Sequence, residues 1–287
     1  MKALFTTPQP MKALFAIGML AALVSPALAF PPAPYYTIYG IVRDQVGQKL
    51  DVDGAEIILL SGTRELGRAP ITRGELDQNY ELSIRIDTIR TGTAVYSDKA
   101  IAAEGAYSVA VDMNGVRFYP IEASGGLTAG KGSERVRLDL NLGEDKNGDG
   151  LPDVWENWQL YQAGDLPDAN GNWPINLLGG RDGDFDHDGI SNWMEYLAGT
   201  FAGDASERFE LKIKEKLATS VRFEFYGITG KTYALERLTN LGAWARIPFS
   251  VGTPGPGAES FQATGVGILS AYATAAGTKE IYRLSVR

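Results

Sequence analysis

Apolar and polar residues alternate with a period of two through much of the chain, the pattern of a strand with one face buried. Tyr80, Leu82, Ile84 and Ile86 share one face, and Glu81, Ser83, Arg85 and Asp87 the other. The alternation returns in Tyr107, Val109, Val111 and Met113, and again in Val136, Leu138, Leu140 and Leu142. Stretches such as Asp51-Val-Asp-Gly54 and Asn114-Gly115 separate these runs and supply turns, because Gly, Asn and Asp accept turn conformations at little cost. Residues 36–142 therefore predict half-buried antiparallel sheet closed into a β-sandwich. Strands resume at Phe209, Leu211 and Ile213, at Val221, Phe223 and Phe225, at Tyr233 and Leu235, and at Tyr282, Leu284 and Val286. These predict a second, smaller sandwich.

Between the two runs the period changes. Val154, Trp158 and Tyr161 are spaced i, i+4, i+7, and Ile190, Trp193, Met194 and Leu197 keep a similar helical spacing. Two short helices are expected, the second ended by Gly199, with their Trp and Met side chains forming a small core. The fold expected is mainly β: two antiparallel β-sandwich domains joined by a small loop-helix module. Its divisions are a signal peptide at 1–29, an N-terminal sandwich at 30–142, the module at 143–204 and a C-terminal sandwich at 205–287.

Each predicted helix follows an acidic loop. Asp145-Lys-Asn147-Gly-Asp149-Gly150-Leu-Pro-Asp153-Val-Trp-Glu156 and Asp184-Phe-Asp186-His-Asp188-Gly189-Ile-Ser-Asn192-Trp-Met-Glu195 both match the calcium pattern D-x-[DN]-x-[DN]-G-x5-E at every specified place. Side-chain oxygens at positions 1, 3, 5 and 9, a backbone carbonyl at 7 and a bidentate Glu at 12 supply the roughly seven hard ligands that calcium takes. The ligands expected are Asp145, Asn147, Asp149, Leu151, Asp153 and Glu156 in one loop and Asp184, Asp186, Asp188, Ile190, Asn192 and Glu195 in the other, making two Ca2+ sites. Gly150 and Gly189 at position 6 allow the sharp turn around the ion. A third patch, Asp165-Leu-Pro-Asp168-Ala-Asn170-Gly-Asn172, lacks the sixth-place Gly and the twelfth-place acid and reads as a turn.

Charge is concentrated in the same place. Residues 144–195 hold twelve acids against Lys146 and Arg181. Without Lys2 and Lys12 the chain has 25 basic and 35 acidic residues, a formal net of -10, so the remainder is formally neutral. No basic face is available for phosphate, which excludes nucleic acid as a partner. Met1-Lys-Ala-Leu-Phe5 recurs at Met11–Phe15, which points to Met11 as the working start. Lys12, the apolar run from Ala13 to Val24 and the small-x-small Ala27-Leu-Ala29 then make a cleaved secretion signal, with Phe30 as the mature N-terminus. No later segment is apolar enough to cross a membrane. Cysteine is absent, so an exported chain must rely on core burial or bound ions rather than disulfides.

Three resemblances add to this reading. Tyr39-Gly40-Ile-Val-Arg-Asp44-Gln-Val-Gly47 followed by Gly54-Ala55-Glu-Ile-Ile-Leu-Leu60 resembles the start of carboxypeptidase regulatory-like domains, which implies a transthyretin-like sandwich. Gly230-Lys-Thr-Tyr233 through Leu241-Gly-Ala-Trp244, with Ile281-Tyr-Arg-Leu-Ser-Val286, is similar to a C-terminal β-domain of modular secreted bacterial proteins. In the acidic module, an EF-hand pair would place a helix before each loop, and position 8 is Pro152 in one loop and Ser191 in the other. Through Asp149-Gly-Leu-Pro-Asp153 and Asp186-His-Asp-Gly-Ile-Ser-Asn192-Trp-Met-Glu-Tyr196 the module instead resembles thrombospondin type 3 repeats and dockerin halves. That resemblance implies a structural ion.

The inventory leaves little for catalysis. His187, the sole histidine, sits at position 4 of a loop, no G-x-S-x-G elbow is present, and thiol chemistry has no cysteine. Gly125-Gly-Leu-Thr-Ala-Gly130-Lys131 lacks the Ser or Thr of a phosphate loop, with Gly132 in its place. The expectation is no enzyme. It is instead a secreted, calcium-binding structural or adhesive protein of a cell surface or matrix, in which Ca2+ rigidifies the junction between two β-domains. A protein or glycan partner at the surface is expected. The alternatives are a dockerin-like assembly module with an exposed apolar helix face, and a carbohydrate-binding or glycan-processing accessory stacking sugars on Tyr35, Tyr36, Trp173 or Trp244.

Overall fold

A computed structural model describes residues 34–73, 76–87, 97–239, 242–277 and 279–287. The expected leader at 1–29 and the mature start at Phe30 lie outside them, as does Leu241. Pro34–Arg287 form one compact unit, mainly β, with two α-helices among the described residues. Among the described residues no helix is long and apolar enough to cross a membrane.

In the N-terminal part, one sheet orders its strands as Arg135–Arg137, Tyr35–Gly40, Tyr80–Asp87 and Ala100–Ala102. The second orders Arg64–Pro70, Glu56–Ser61, Ala106–Met113 and Val116–Phe118, with Leu127–Thr128 added to Ala106–Met113. From Tyr80 to Ile86 the strand alternates buried and exposed as its sequence predicts, whereas Asp87, expected on the polar face, is buried. The alternation places Leu82, Ile84 and Ile86 in one core with Ile57, Leu59, Val109 and Val111 of the facing sheet. The pairing is not wholly antiparallel. Tyr35–Gly40 runs parallel to Arg135–Arg137, Val42–Arg43 to Leu140–Asn141, and Tyr80–Asp87 to Ala100–Ala102. Alternation fixes which face a residue takes but not the direction of its neighbour.

The run from Val136 to Leu142 also breaks into two short strands, with Val136 exposed. The break lies where Leu138 turns its carbonyl onto Gly40, so closely that a Cβ there would be 2.3 Å from the oxygen.

The C-terminal part packs Lys212–Lys216, Ser220–Gly227, Gly267–Thr274 and Phe249–Val251 against a second sheet. That sheet orders Trp244–Ile247, Thr232–Leu238 and Phe261–Gln262, with Tyr282–Val286 also on Thr232–Leu238. Its core is Phe223, Phe225, Tyr233, Leu235, Ala271 and Ala273. Ser220–Gly227 follows its predicted alternation along its whole length. The strand expected at Phe209, Leu211 and Ile213 begins only at Lys212 and is exposed throughout; Phe209 and Leu211 pack on the core before it starts.

Between them, α1 spans Asp153–Ala163 and α2 spans Asn192–Ala198, each entered directly from an acidic loop. Both end on a left-handed glycine, Gly164 at φ 97° and Gly199 at φ 78°. Ser191 caps α2 by accepting from Met194 N. Strand Leu140–Asn141 precedes the first loop and a single 3-10 turn, Ile175–Leu177, precedes the second, so neither has an entering α-helix. Leu151, Trp155, Tyr196 and Ala202 form a small core with Phe185, Trp193 and Leu197.

One expectation about α1 is corrected. Val154, Trp158 and Tyr161 were the predicted inward stripe, yet all three are exposed, Trp158 at 52% and Tyr161 at 56%, and Met194 of α2 is exposed too. The inward face of α1 is Trp155, Glu156, Gln159 and Leu160. Glu156 explains the rotation. It is the twelfth residue of its loop, and turning it toward the loop centre carries Trp155, Gln159 and Leu160, at i−1, i+3 and i+4 from it, inward on the same face.

Candidate metal centre

The two loops repeat one backbone design. Positions 4 and 6 are left-handed in both: Gly148 at φ 75° and Gly150 at φ 91°, His187 at φ 61° and Gly189 at φ 93°. The first residue ties the turn together. Asp145 Oδ1 accepts from Gly148 N at 2.7 Å and Oδ2 from Gly150 N at 2.9 Å. Asp184 Oδ1 accepts from Asp188 N at 3.1 Å and Oδ2 from Gly189 N at 2.9 Å. Position 5 then fixes position 7, with Asp149 Oδ1 accepting from Leu151 N at 2.8 Å and Asp188 Oδ1 from Ile190 N at 2.6 Å. The other oxygen of each position-5 carboxylate is not used by the loop backbone: Asp149 Oδ2 accepts from Asn147 Nδ2, and Asp188 Oδ2 lies 3.3 Å from Arg208 Nε.

In the second loop three carboxylates converge. Asp184, Asp186 and Asp188 present carboxylate oxygens within 4.8 Å of one another. Asp186 Oδ2, Asp188 Oδ2, Asn192 Oδ1 and Glu195 Oε2 are buried and have no hydrogen-bond partner among the described residues. They are positions 3, 5, 9 and 12. Asn192 is fully buried and its orientation is fixed, because its Nδ2 donates to the carbonyls of Leu178 and Gly180, each at 2.7 Å. Glu195 is 1% exposed. Burial, and then repulsion by Asp186, Asp188 and Asp184, pushes its carboxyl up to about 8. Burial likewise raises Asp186. Leaving buried acceptors without hydrogen bonds costs about 1–3 kcal/mol each, and the gathered carboxylates of Asp184, Asp186 and Asp188 have the hard-oxygen chemistry that suits a divalent cation.

The first loop resolves the same crowding internally. Asn147 Nδ2 donates to Asp149 Oδ2 at 3.0 Å and to the two Glu156 oxygens at 3.3 and 3.4 Å. Glu156 is fully buried and raised to about 8, by burial first and then by Asp149, while Asn147 pulls the other way. Asp153 is turned toward Lys146, accepting from its backbone N at 2.9 Å and pairing with its Nζ at 3.2 Å. The structure thus gathers Asn147, Asp149 and Glu156, and engages Asp153 elsewhere.

The loops are joined to each other and to both sandwiches. Gly180, whose carbonyl Asn192 holds, lies so close to the first loop that a Cβ there would be 3.2 Å from Asp149 Oδ2. Arg181 stacks its guanidinium 3.7 Å over Trp193. Tyr196, one residue after Glu195, donates from its hydroxyl to Asp44 O at 2.9 Å in the N-terminal part, and its ring meets Trp155 edge-on at 5.7 Å. Lys231 of the C-terminal part, 1% exposed, donates from Nζ to Gly47 O and Leu197 O, each at 2.7 Å. Burial, with Arg43 nearby, lowers its pKa to about 7. Nothing in the sequence distinguishes Lys231 from other lysines, and only its position one residue before a strand hints at a role.

The proposed sugar-stacking residues are scattered. Tyr36 is buried against Tyr107, Arg283 covers the Trp244 ring at 4.4 Å, and Tyr35 alone stands well exposed. Asp168 accepts from Asn170 N and Asn172 N, the turn that its sequence predicts. No family model, curated protein or solved structure matches the chain.

Proposed function

We propose that the chain is a calcium-stabilised structural or adhesive protein, exported by its N-terminal signal, in which two Ca2+ ions stiffen the junction between the sandwiches. The module would be a loop-helix unit of the thrombospondin type 3 and dockerin kind. The observation that carries the reading is the set of four buried oxygens without a hydrogen-bond partner among the described residues, on Asp186, Asp188, Asn192 and Glu195. Asp184 completes that donor set with the Ile190 carbonyl. In the first loop, Asp145, Asp149, Glu156, the Leu151 carbonyl and Asn147 with its carboxamide turned to present Oδ1 would serve, with Asp153 acting only after release from Lys146.

The mechanical part follows from α2. This helix carries Asn192 and Glu195 in its first turn and Tyr196 and Leu197 immediately after, and these two residues engage Asp44 and Lys231. Occupancy at the loop is therefore felt within one helical turn by both sandwiches. At millimolar calcium and a dissociation constant of roughly 10–100 micromolar, mass action adds about 1.4–2.7 kcal/mol per site. Calcium titration by calorimetry on the chain from Phe30, beside a Glu156→Ala, Glu195→Ala double variant, tests it. Uptake of calcium by the parent and not by the variant is expected; equal heats in the two would end the proposal.

One observation favours a second reading, recruitment of a protein partner through α1. Val154, Trp158 and Tyr161 make an exposed apolar stripe, with the Trp158 and Tyr161 rings stacked at 6.3 Å. A pull-down that depends on calcium and is lost in Trp158→Ala would establish it. Retention of the same proteins by the variant would dismiss it.

A further inference from the structure

Arg208 reaches the second loop from outside it. It lies in the segment leading to the C-terminal sandwich, and its Nε stands 3.3 Å from Asp188 Oδ2. The Asp188 side chain is 2% exposed and that of Arg208 40%, so the guanidinium closes over a buried carboxylate while keeping part of itself in water. Gly189 sits beneath it: a Cβ there would lie 3.7 Å from Arg208 Nη2. The preceding residue is anchored, since Glu207 accepts from Phe201 N and from the Tyr226 hydroxyl, each at 3.0 Å. Tyr226 belongs to strand Ser220–Gly227, which ties the position of Arg208 to the C-terminal sandwich.

We propose that Arg208 is the built-in counter-cation of the second loop, holding its carboxylates together when no metal is bound and opposing calcium when it arrives. The inference rests on the reading of this loop as a calcium site. Asp184, Asp186 and Asp188 bring carboxylate oxygens within 4.8 Å of one another, all three repel the Glu195 carboxylate, and Arg208 provides the one ion pair to these four among the described residues. The pair offsets charge without consuming donor capacity. Neither Arg208 Nε nor Asp188 Oδ2 has a hydrogen-bond partner among the described residues, so the oxygen remains open to a ligand role. A divalent ion bound there would lie a few ångströms from a fixed unit charge of the same sign, and that repulsion weakens its binding.

Arg208→Gln should therefore destabilise the metal-free chain and tighten calcium by between about threefold and tenfold, the size expected for removing a unit charge near a divalent ion in a high-dielectric setting. Arg208→Lys, which keeps the charge, should follow the parent. The test combines thermal melts in chelator and in millimolar calcium with calorimetric titration of calcium chloride into the parent and both variants. Expected is a lower melting temperature for Arg208→Gln in chelator, a smaller deficit in calcium, and a lower dissociation constant. An equal deficit in both conditions, an unchanged dissociation constant, or failure of Arg208→Gln to fold even in calcium would mean a packing role and overturn the inference. A parent chain that takes up no calcium overturns the metal reading and this inference with it. Normal uptake by the parent with unaltered affinity in the variant overturns this inference alone.

Discussion

Lys231 Nζ lies 2.7 Å from the carbonyl oxygen of Gly47 although 184 residues separate them in the chain. The same nitrogen reaches Leu197 O, so one buried amine joins the N-terminal part, α2 and the C-terminal part. With its pKa lowered to about 7, Lys231 binds fewer protons folded than unfolded between pH 7 and its ordinary value of 10.5. Stability should then rise with pH across that window and level off below it. Lys231→Met should flatten that slope. Urea titrations at pH 6, 8 and 9.5 measure it, and parallel pH profiles for parent and variant would refute the assignment.

Glu195 and Glu156 titrate in the opposite sense. Each is raised to about 8 without metal, above its ordinary value of 4.5, so the folded metal-free chain holds protons that the unfolded chain has lost. Their contribution is complete below pH 4.5 and disappears as pH rises through 8. Melting temperature in metal-free buffer should fall over that range from this source. In saturating calcium the ligands stay ionised, the decline should shrink, and affinity should grow with pH as protons are displaced. Melts at pH 5, 6.5 and 8 with and without calcium decide it; identical profiles would show that these carboxyls do not meet the ion.

Glu195→Gln separates repulsion from ligation. It removes a carboxyl whose ionised form is disfavoured by burial and by Asp186, Asp188 and Asp184, and with it the cost of keeping that group protonated in the folded metal-free chain, yet keeps the shape. The variant should melt above the parent in chelator and below it in calcium, with a loss near the 1–3 kcal/mol of one site. A variant shifted the same way in both media would contradict a metal role for Glu195.

Tyr196→Phe probes the link from α2 to the N-terminal part. It deletes the hydroxyl that donates to Asp44 O and lies 3.3 Å from Asn141 Oδ1, leaving buried acceptors unpaired at a cost of about 1–3 kcal/mol. Chemical denaturation gives the loss. Small-angle scattering of the variant in calcium should broaden toward the metal-free profile of the parent; an unbroadened profile would remove Tyr196 from the joint.

What the sequence revealed follows from the range of the forces involved. The tight turn of each loop is set by contacts within six residues, such as Asp184 to Gly189 and Asp188 to Ile190, so a local pattern is enough to fix their register. The alternation from Tyr80 to Ile86 and along Ser220–Gly227 is readable for the same reason. The rotation of α1 was not, because Val154, Trp158 and Tyr161 fit the helical period as well as Trp155, Gln159 and Leu160 do. Only the demand that Glu156 face inward chooses between them. Parallel pairing at Arg135–Arg137 and the roles of Arg208 and Lys231 depend on partners far away in sequence, which no local period records.

Four of the five tryptophans, Trp155, Trp158, Trp173 and Trp193, fall within residues 143–204, and Trp244 is the fifth. Trp155 and Trp193 both touch Tyr196, Trp193 stacked on it at 5.5 Å. Light emitted on selective indole excitation therefore comes chiefly from the middle of the chain, while the far-ultraviolet dichroism is dominated by strands on either side. The molecule carries its own optical gauge, and the melting of its small centre can be watched apart from that of its flanks without attaching a label.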